Sequence, residues 1–190
     1  FVAVGDKGAG TSYVGQPLGC IVAKTRREAE AAIKCVKVTY ATDPNKPGIY
    51  SLEDAIAAKS YQPQWQEPRT QAKGDVEAAM EAAKTDVSGS VIVTGEFKIG
   101  GQSHFAMEKN TCLALPVDNG RFELHHSTQM PDGARGFIAN AAGVTEEKVQ
   151  IICRRLGGAF GGKATKNIPI GMAATLCAKK LRKPVKLANS

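Results

Sequence analysis

The residues best equipped for chemistry form one run, Gly157-Gly158-Ala159-Phe160-Gly161-Gly162-Lys163. Glycine has no Cβ, so backbone N–H groups there can turn toward a ligand from conformations closed to other residues. A helix beginning just behind such a loop adds partial positive charge. The run is therefore either an anion or cofactor cradle or a tight structural turn. It fits neither common phosphate motif. A P-loop places Ser or Thr directly after the lysine, whereas Ala164 follows Lys163. A Rossmann fingerprint needs an acidic residue about twenty positions on, and residues 181–190 contain none. A second chemically capable group is Gln102, whose amide both donates and accepts hydrogen bonds. Placed after Gly100 and Gly101, it can approach an oxo group closely or simply satisfy nearby backbone. Phe160, flanked by residues too small to pack around it, reads by default as a core aromatic.

These groups need elements to hold them. Residues 149–153 read as a buried strand feeding the glycine run, and 165–180 as a helix leaving it, with Ile168, Met172, Leu176 and Cys177 at helical spacing. Strands are expected at 91–97, 111–117 and 122–127, the last two joined by an Asp118-Asn119-Gly120 turn. A helix over about 132–142 should end at Gly143. Upstream, 18–23 and 37–40 read as strands around a helix that Thr25 caps, with Glu28 at capping-box spacing. Ala29, Ala32, Ile33 and Val36 form its apolar stripe. Ser51 caps a helix over 52–59, residues 61–73 lack periodicity and read as a linker, and Gly74-Asp75 opens a helix over 76–83.

The chain is 43% hydrophobic and 23% charged, ordinary for a globular protein. Its net charge of +7 is dispersed, and the basic clusters at 24–27 and 179–186 lack interleaved aromatics. That pattern favours a solvated basic surface over nucleic-acid binding. No apolar run reaches membrane-spanning length. The five cysteines are widely separated, with no Cys-x-x-Cys pair, which argues for buried free thiols in a reducing compartment rather than disulfides or iron–sulfur ligation. His104, His125 and His126 make no metal-ligand pattern, and the last two should point to opposite faces of one strand.

Several segments together carry a resemblance. Gly100-Gly101-Gln102-Ser103-His104-Phe105, then Ser127-Thr128-Gln129, then Arg155-Leu156 leading into the glycine run and Lys163, resemble in order and spacing the molybdenum hydroxylases of the xanthine dehydrogenase and aldehyde oxidase family. Val14-Gly15-Gln16-Pro17 looks like that family's domain upstream of the molybdenum site, so the likeness runs across nearly the whole chain. It implies an α+β fold: residues 1–60 as part of an α/β hammerhead domain, 61–73 as linker, and 74–190 as the start of a mixed α/β molybdopterin-binding domain. It implies a molybdenum–molybdopterin cofactor contacted by Gln102, Gly158, Phe160, Gly161 and Gly162, with Gln102 and Phe160 as neighbours of the metal rather than ligands. Ala164 would line the substrate pocket. Xanthine-oxidising members carry an acid there, so alanine places this chain nearer the aldehyde oxidases.

The implied reaction is hydroxylation of an aldehyde or N-heterocycle with oxygen from water, in a cytoplasmic homodimer. Iron–sulfur clusters and FAD are expected on other parts of the enzyme, as are the catalytic glutamate and a substrate-orienting arginine. On that expectation the chain is a fragment, inactive alone. The alternatives are purine oxidation, a non-catalytic binding module that keeps the fold, and a nucleotide-binding α/β domain, which Ala164 disfavours.

Overall fold

The computed structural model describes residues 2–3, 11, 13–41, 47–61, 71–85 and 89–189. They fall into two compact units, Phe1–Lys37 with Gln102–Ser190, and Val38–Gly101. In the first unit the alternation of apolar and polar residues decides the sheet. β3 (Thr111–Val117) and β4 (Arg121–His126) pair antiparallel across a tight turn. Asn119 and Gly120 take φ of 61° and 68° there, a conformation these two residue types tolerate best. The register sets Cys112 opposite His126 and Ala114 opposite Leu124. Cross-strand partners share a face, and all four are buried. His125 points the other way, as its position in the strand requires.

The chain leaves β4 through α4 (Pro131–Ala142) and returns in β5 (Val149–Ile152), parallel to β4. Pro131 starts the helix, where a missing N–H costs nothing, and Gly143 ends it at φ 62°. The ammonium of Lys179 also donates to the Ala142 carbonyl at 2.6 Å. After the glycine run come α5 (Gly162–Thr165), α6 (Ile168–Leu181) and β6 (Val185–Ala188), which pairs antiparallel with β3. The sheet order is thus β5-β4-β3-β6, mixed in direction, and the fold class is α+β. Ala134, Ile138, Ala139 and Ala142 of α4 meet Ala174, Cys177 and Ala178 of α6 over the sheet's inner face. A Cβ on Gly171 would stand 2.7 Å from Ile138 Cδ1 and 3.1 Å from His126 Nε2, so glycine sets how closely α6 approaches.

The single helix expected over 165–180 is two helices. Pro169 is the reason: inside a helix begun at residue 165 it would lack a needed N–H and clash with the preceding turn. The helix therefore restarts, with Pro169 in the first turn of α6.

At the other end of this unit, β1 (Val2–Ala3) pairs with β2 (Gly19–Cys20), so the strand expected over 18–23 shrinks to two residues. Thr25 and Glu28 form the expected capping box on α1 (Arg26–Ile33), but its stripe is poorly covered, with Ile33 and Val36 exposed. No strand forms over 37–40.

All five cysteines are free, yet Cys35 is exposed rather than buried. Cys20 and Cys177 lie 3.6 Å apart at sulfur. Burial pushes the Cys20 thiol up to about 11 and the Cys112 thiol to about 12.

The second unit holds α2 (Leu52–Ala57), capped by the Ser51 hydroxyl, and α3 (Val76–Thr85), capped by the Asp75 carboxylate. Neither helix has a fully buried residue. The strand expected over 91–97 is absent: Val91, Val93 and Phe97 are exposed, because β-propensity makes a strand only where a neighbour supplies the ladder. Of the expected linker, 62–70 lies outside the described residues. Among the described residues no helix is long and apolar enough to cross a membrane.

His126 gives this core a pH dependence. Its ring is buried, and Nδ1 donates to the Thr111 carbonyl at 3.1 Å, which leaves Nε2 a bare acceptor without a partner. Desolvation outweighs that hydrogen bond and lowers its pKa below 6.5. The unfolded chain therefore binds the proton first as pH falls. Stability should be at its full value above about pH 6.5, then decline below it until the depressed folded pKa is passed. Urea titrations of the native chain and of His126→Gln should diverge there by up to about 1.4 kcal/mol per pH unit. Parallel curves would remove His126 as the cause.

Candidate functional site

The glycine run emerges from β5 and is held from below by the segment after β4. Residues 126–129 and 161–167 are laced together. Asn167 Nδ2 donates to the Ser127 carbonyl, and the Thr128 hydroxyl and Gln129 N–H both donate to the Lys163 carbonyl, at 3.3 and 2.9 Å. Cys153 Sγ donates to the Thr128 carbonyl at 3.2 Å. Most informative is Gln129 Oε1, which accepts the N–H of Gly161 at 3.1 Å and of Lys163 at 3.2 Å. Both partners are donors, so the amide orientation is fixed: oxygen toward the loop, NH2 outward.

The loop backbone is tightly coiled. Gly158, Phe160 and Gly161 take φ of 100°, 50° and 93°. A left-handed conformation at a bulky aromatic costs about 1–2 kcal/mol. Phe160 nevertheless sits there and is 71% exposed, so it is not a core residue. A Cβ on Gly158 would approach that ring to 3.0 Å, so glycine lets the phenyl fold back over the loop.

Residues 104–108 lie against the other side of the run. A Cβ on Gly157 would fall 2.1 Å from the Glu108 carboxylate, and one on Gly162 2.9 Å from the His104 ring. The glycines are thus needed for a close backbone approach as well as for φ.

Gln102, two residues before His104, is exposed and makes no hydrogen bond among the described residues. The amide side chain that reaches the loop is that of Gln129, in the Ser127-Thr128-Gln129 segment. The expectation of free loop amides is corrected in part. Gly161 and Lys163 spend theirs on Gln129, while Gly162 and Ala164 donate to Ala159 and Gly161. The N–H groups of Ala159 and Phe160 make no hydrogen bond among the described residues and remain the loop's own donors. Ala164 is half-buried within α5. Among the described residues no three His, Cys, Asp or Glu side chains gather as a metal site.

With this geometry in place, comparison with known proteins is specific. Residues 59–190 match the molybdopterin cofactor-binding domain family. A xanthine dehydrogenase of Oryza sativa subsp. japonica is 39% identical over 92% of the chain. A putative aldehyde oxidase-like protein of the same plant is 36% identical over 92%, and the abscisic-aldehyde oxidase of Arabidopsis thaliana 36% over 93%. The chain spans only 12–13% of the length of these relatives. Quinoline 2-oxidoreductase from Pseudomonas putida 86 shares the fold, with a TM-score of 0.65 at 22% identity over 88% of this chain and 21% of its own. The Cu,Mo-CO dehydrogenase does likewise, with 0.64 at 21% over 88% and 22%.

The Gln129 clamp can be tested by exchange. Gln129→Leu removes an acceptor shared by two amides, which should loosen the loop by about 1–3 kcal/mol. Amide hydrogen exchange at Gly161 and Lys163 should accelerate accordingly. Gln129→Glu, which still accepts, should keep most of the protection; equal loss in both variants would contradict the clamp.

Proposed function

Since this chain belongs to the molybdopterin cofactor-binding family of the xanthine dehydrogenases and aldehyde oxidases, we propose that its glycine loop forms one wall of the cofactor site in a hydroxylase that oxidises aldehydes. The observation that carries this reading is Phe160: a strained, exposed aromatic on a loop anchored from behind. Strain of that kind persists when the ring has something to meet.

The residues fit a pterin-borne metal group. Gly158 and Gly161 keep the surface free of Cβ atoms, Ala159 and Phe160 offer unspent N–H donors, and the outward NH2 of Gln129 is a third. Gln102 and Gly162 complete the proposed contact set, Gln102 from the segment that runs over the loop. When bound, the cofactor supplies two-electron redox chemistry, with oxygen derived from water. The chain's own part is placement. Loop donors orient oxygen atoms, the phenyl ring screens them from water, and the backbone lacing behind the loop stops the wall from shifting.

Ala164 sets the proposed substrate class. A methyl group neither donates nor accepts, so it leaves a purine unoriented and tolerates an apolar aldehyde. The 39% identity to a xanthine dehydrogenase supports purines as the second reading. Electron transfer through iron–sulfur clusters and FAD, the catalytic base, and assembly as a cytoplasmic homodimer belong to this proposal for the whole protein.

Metal and pterin analysis of the full-length protein tests the first claim: both should copurify with it, and a binding module that keeps the fold would carry neither. Ala164→Glu in that protein should move the ratio of kcat/KM toward a purine over an aldehyde by about tenfold or more. An unchanged ratio would take Ala164 out of the substrate pocket.

A further inference from the structure

Two thiols that the glycine loop does not use meet within the first unit. Cys20 Sγ and Cys177 Sγ lie 3.6 Å apart, although 157 positions separate them in the chain. The other sulfurs are placed differently: Cys153 donates to the Thr128 carbonyl, Cys35 to that of Ala31, and Cys112 is enclosed in the core. The two members of the pair are held unequally. Cys177 is 3% exposed on α6, a 14-residue helix fixed in the core. Cys20 is half-buried on β2, whose ladder is two residue pairs with β1, and residues 22–28 beyond it are exposed. Cys20 is therefore the member that solvent reaches. A bond between the sulfurs needs them to close by roughly 1.5 Å. With so few contacts, β2 is the partner that can move.

We infer that Cys20 and Cys177 are a thiol pair that hydrogen peroxide converts to a disulfide, latching β2 onto α6. Cys20 Sγ, as thiolate, attacks one peroxide oxygen; the O–O bond breaks, and the departing hydroxide takes up the thiol proton as water. Cys177 Sγ then displaces the remaining oxygen from the sulfenic sulfur, which forms the S–S bond and releases a second water. The two sulfurs lose two electrons between them and the peroxide gains both. Burial, then the nearness of Cys177, pushes the Cys20 thiol up to about 11, so thiolate is scarce and the pair rests reduced until peroxide is abundant. A bond that closes so long a loop restricts the opened chain, and here it holds down a strand that its own ladder holds weakly. Because α6 starts beside Asn167, which donates to the Ser127 carbonyl, the latch fastens the upstream segment to the glycine loop's own support. The pair goes beyond the cofactor reading and acts with or without molybdenum bound.

The test uses the full-length protein, treated with hydrogen peroxide, alkylated and digested with trypsin. Cleavage after Lys7, Lys24, Lys166 and Lys179 puts Cys20 in residues 8–24 and Cys177 in residues 167–179, each the sole cysteine of its peptide. The two peptides should appear as one linked species, lighter than their sum by the two thiol hydrogens, and dithiothreitol should separate them. Amide exchange over residues 19–23 should slow about tenfold or more on oxidation and recover on reduction. Cys177→Ala should leave Cys20 as a sulfenic acid that dimedone traps. Cys20→Ser, at a half-buried position, keeps the test valid should the first variant fail to fold; it should leave Cys177 reduced and the exchange insensitive to peroxide. Separately alkylated peptides at every peroxide dose, Cys20 joined to a different cysteine, or linkage without slower exchange overturns the latch.

Discussion

One carbonyl oxygen, Gln129 Oε1, organises the site by accepting two backbone amides that the coiled loop cannot satisfy within itself. A half-buried amide such as that of Lys163 is costly without a partner, and a run with three left-handed residues in four positions leaves its N–H groups pointing away from any regular ladder. The segment after β4 supplies what the loop lacks. Because β4 is a central strand of the sheet, flanked by β3 and β5, that segment starts from a rigid base. The chain of support runs from sheet register, through Ser127, Thr128 and Gln129, to the strained Phe160.

The packing of α6 serves the same end. Beyond Ile168 its inner face is made of glycine, alanine, threonine and cysteine, so it sits close over the sheet and carries Asn167 into bonding distance of the Ser127 carbonyl. Gly171, caught between Ile138 and His126, leaves no room for a side chain. Small residues there trade helix propensity for proximity. The outcome is a loop bound at its far end by a helix that cannot drift outward.

Much of this was legible in the chain itself. The apolar patterning of 111–117 and 122–127, the Asp-Asn-Gly turn, the capping box at Thr25 and the glycine after Ala142 each encode their element locally, and each formed, the second strand one residue earlier at 121–126. The failures have physical causes. Residues 91–97 and 37–40 carry strand propensity but have no ladder partner, and pairing is a property of two segments, not one. Pro169 stands within an otherwise helical spacing, and it splits the helix. At the site, the glycine run and the Gln102 segment stand out by composition. Gln129 carries no local signal of its role: a polar residue before a helix is ordinary, and only the fold reveals that its oxygen meets amides more than thirty positions away. The buried state of Lys163 was equally hidden, since lysine is expected at the surface.

We propose that the wall built by Phe160, the free amides of Ala159 and Phe160, and the outward NH2 of Gln129 faces the molybdopterin group. The most direct measurement is a crystal structure of the full-length protein with that cofactor bound. The phenyl ring and the Gln129 nitrogen should be in contact with the metal-bearing end of the cofactor. A cofactor seated elsewhere, with Phe160 packed against protein and Gln129 turned to solvent, would contradict it.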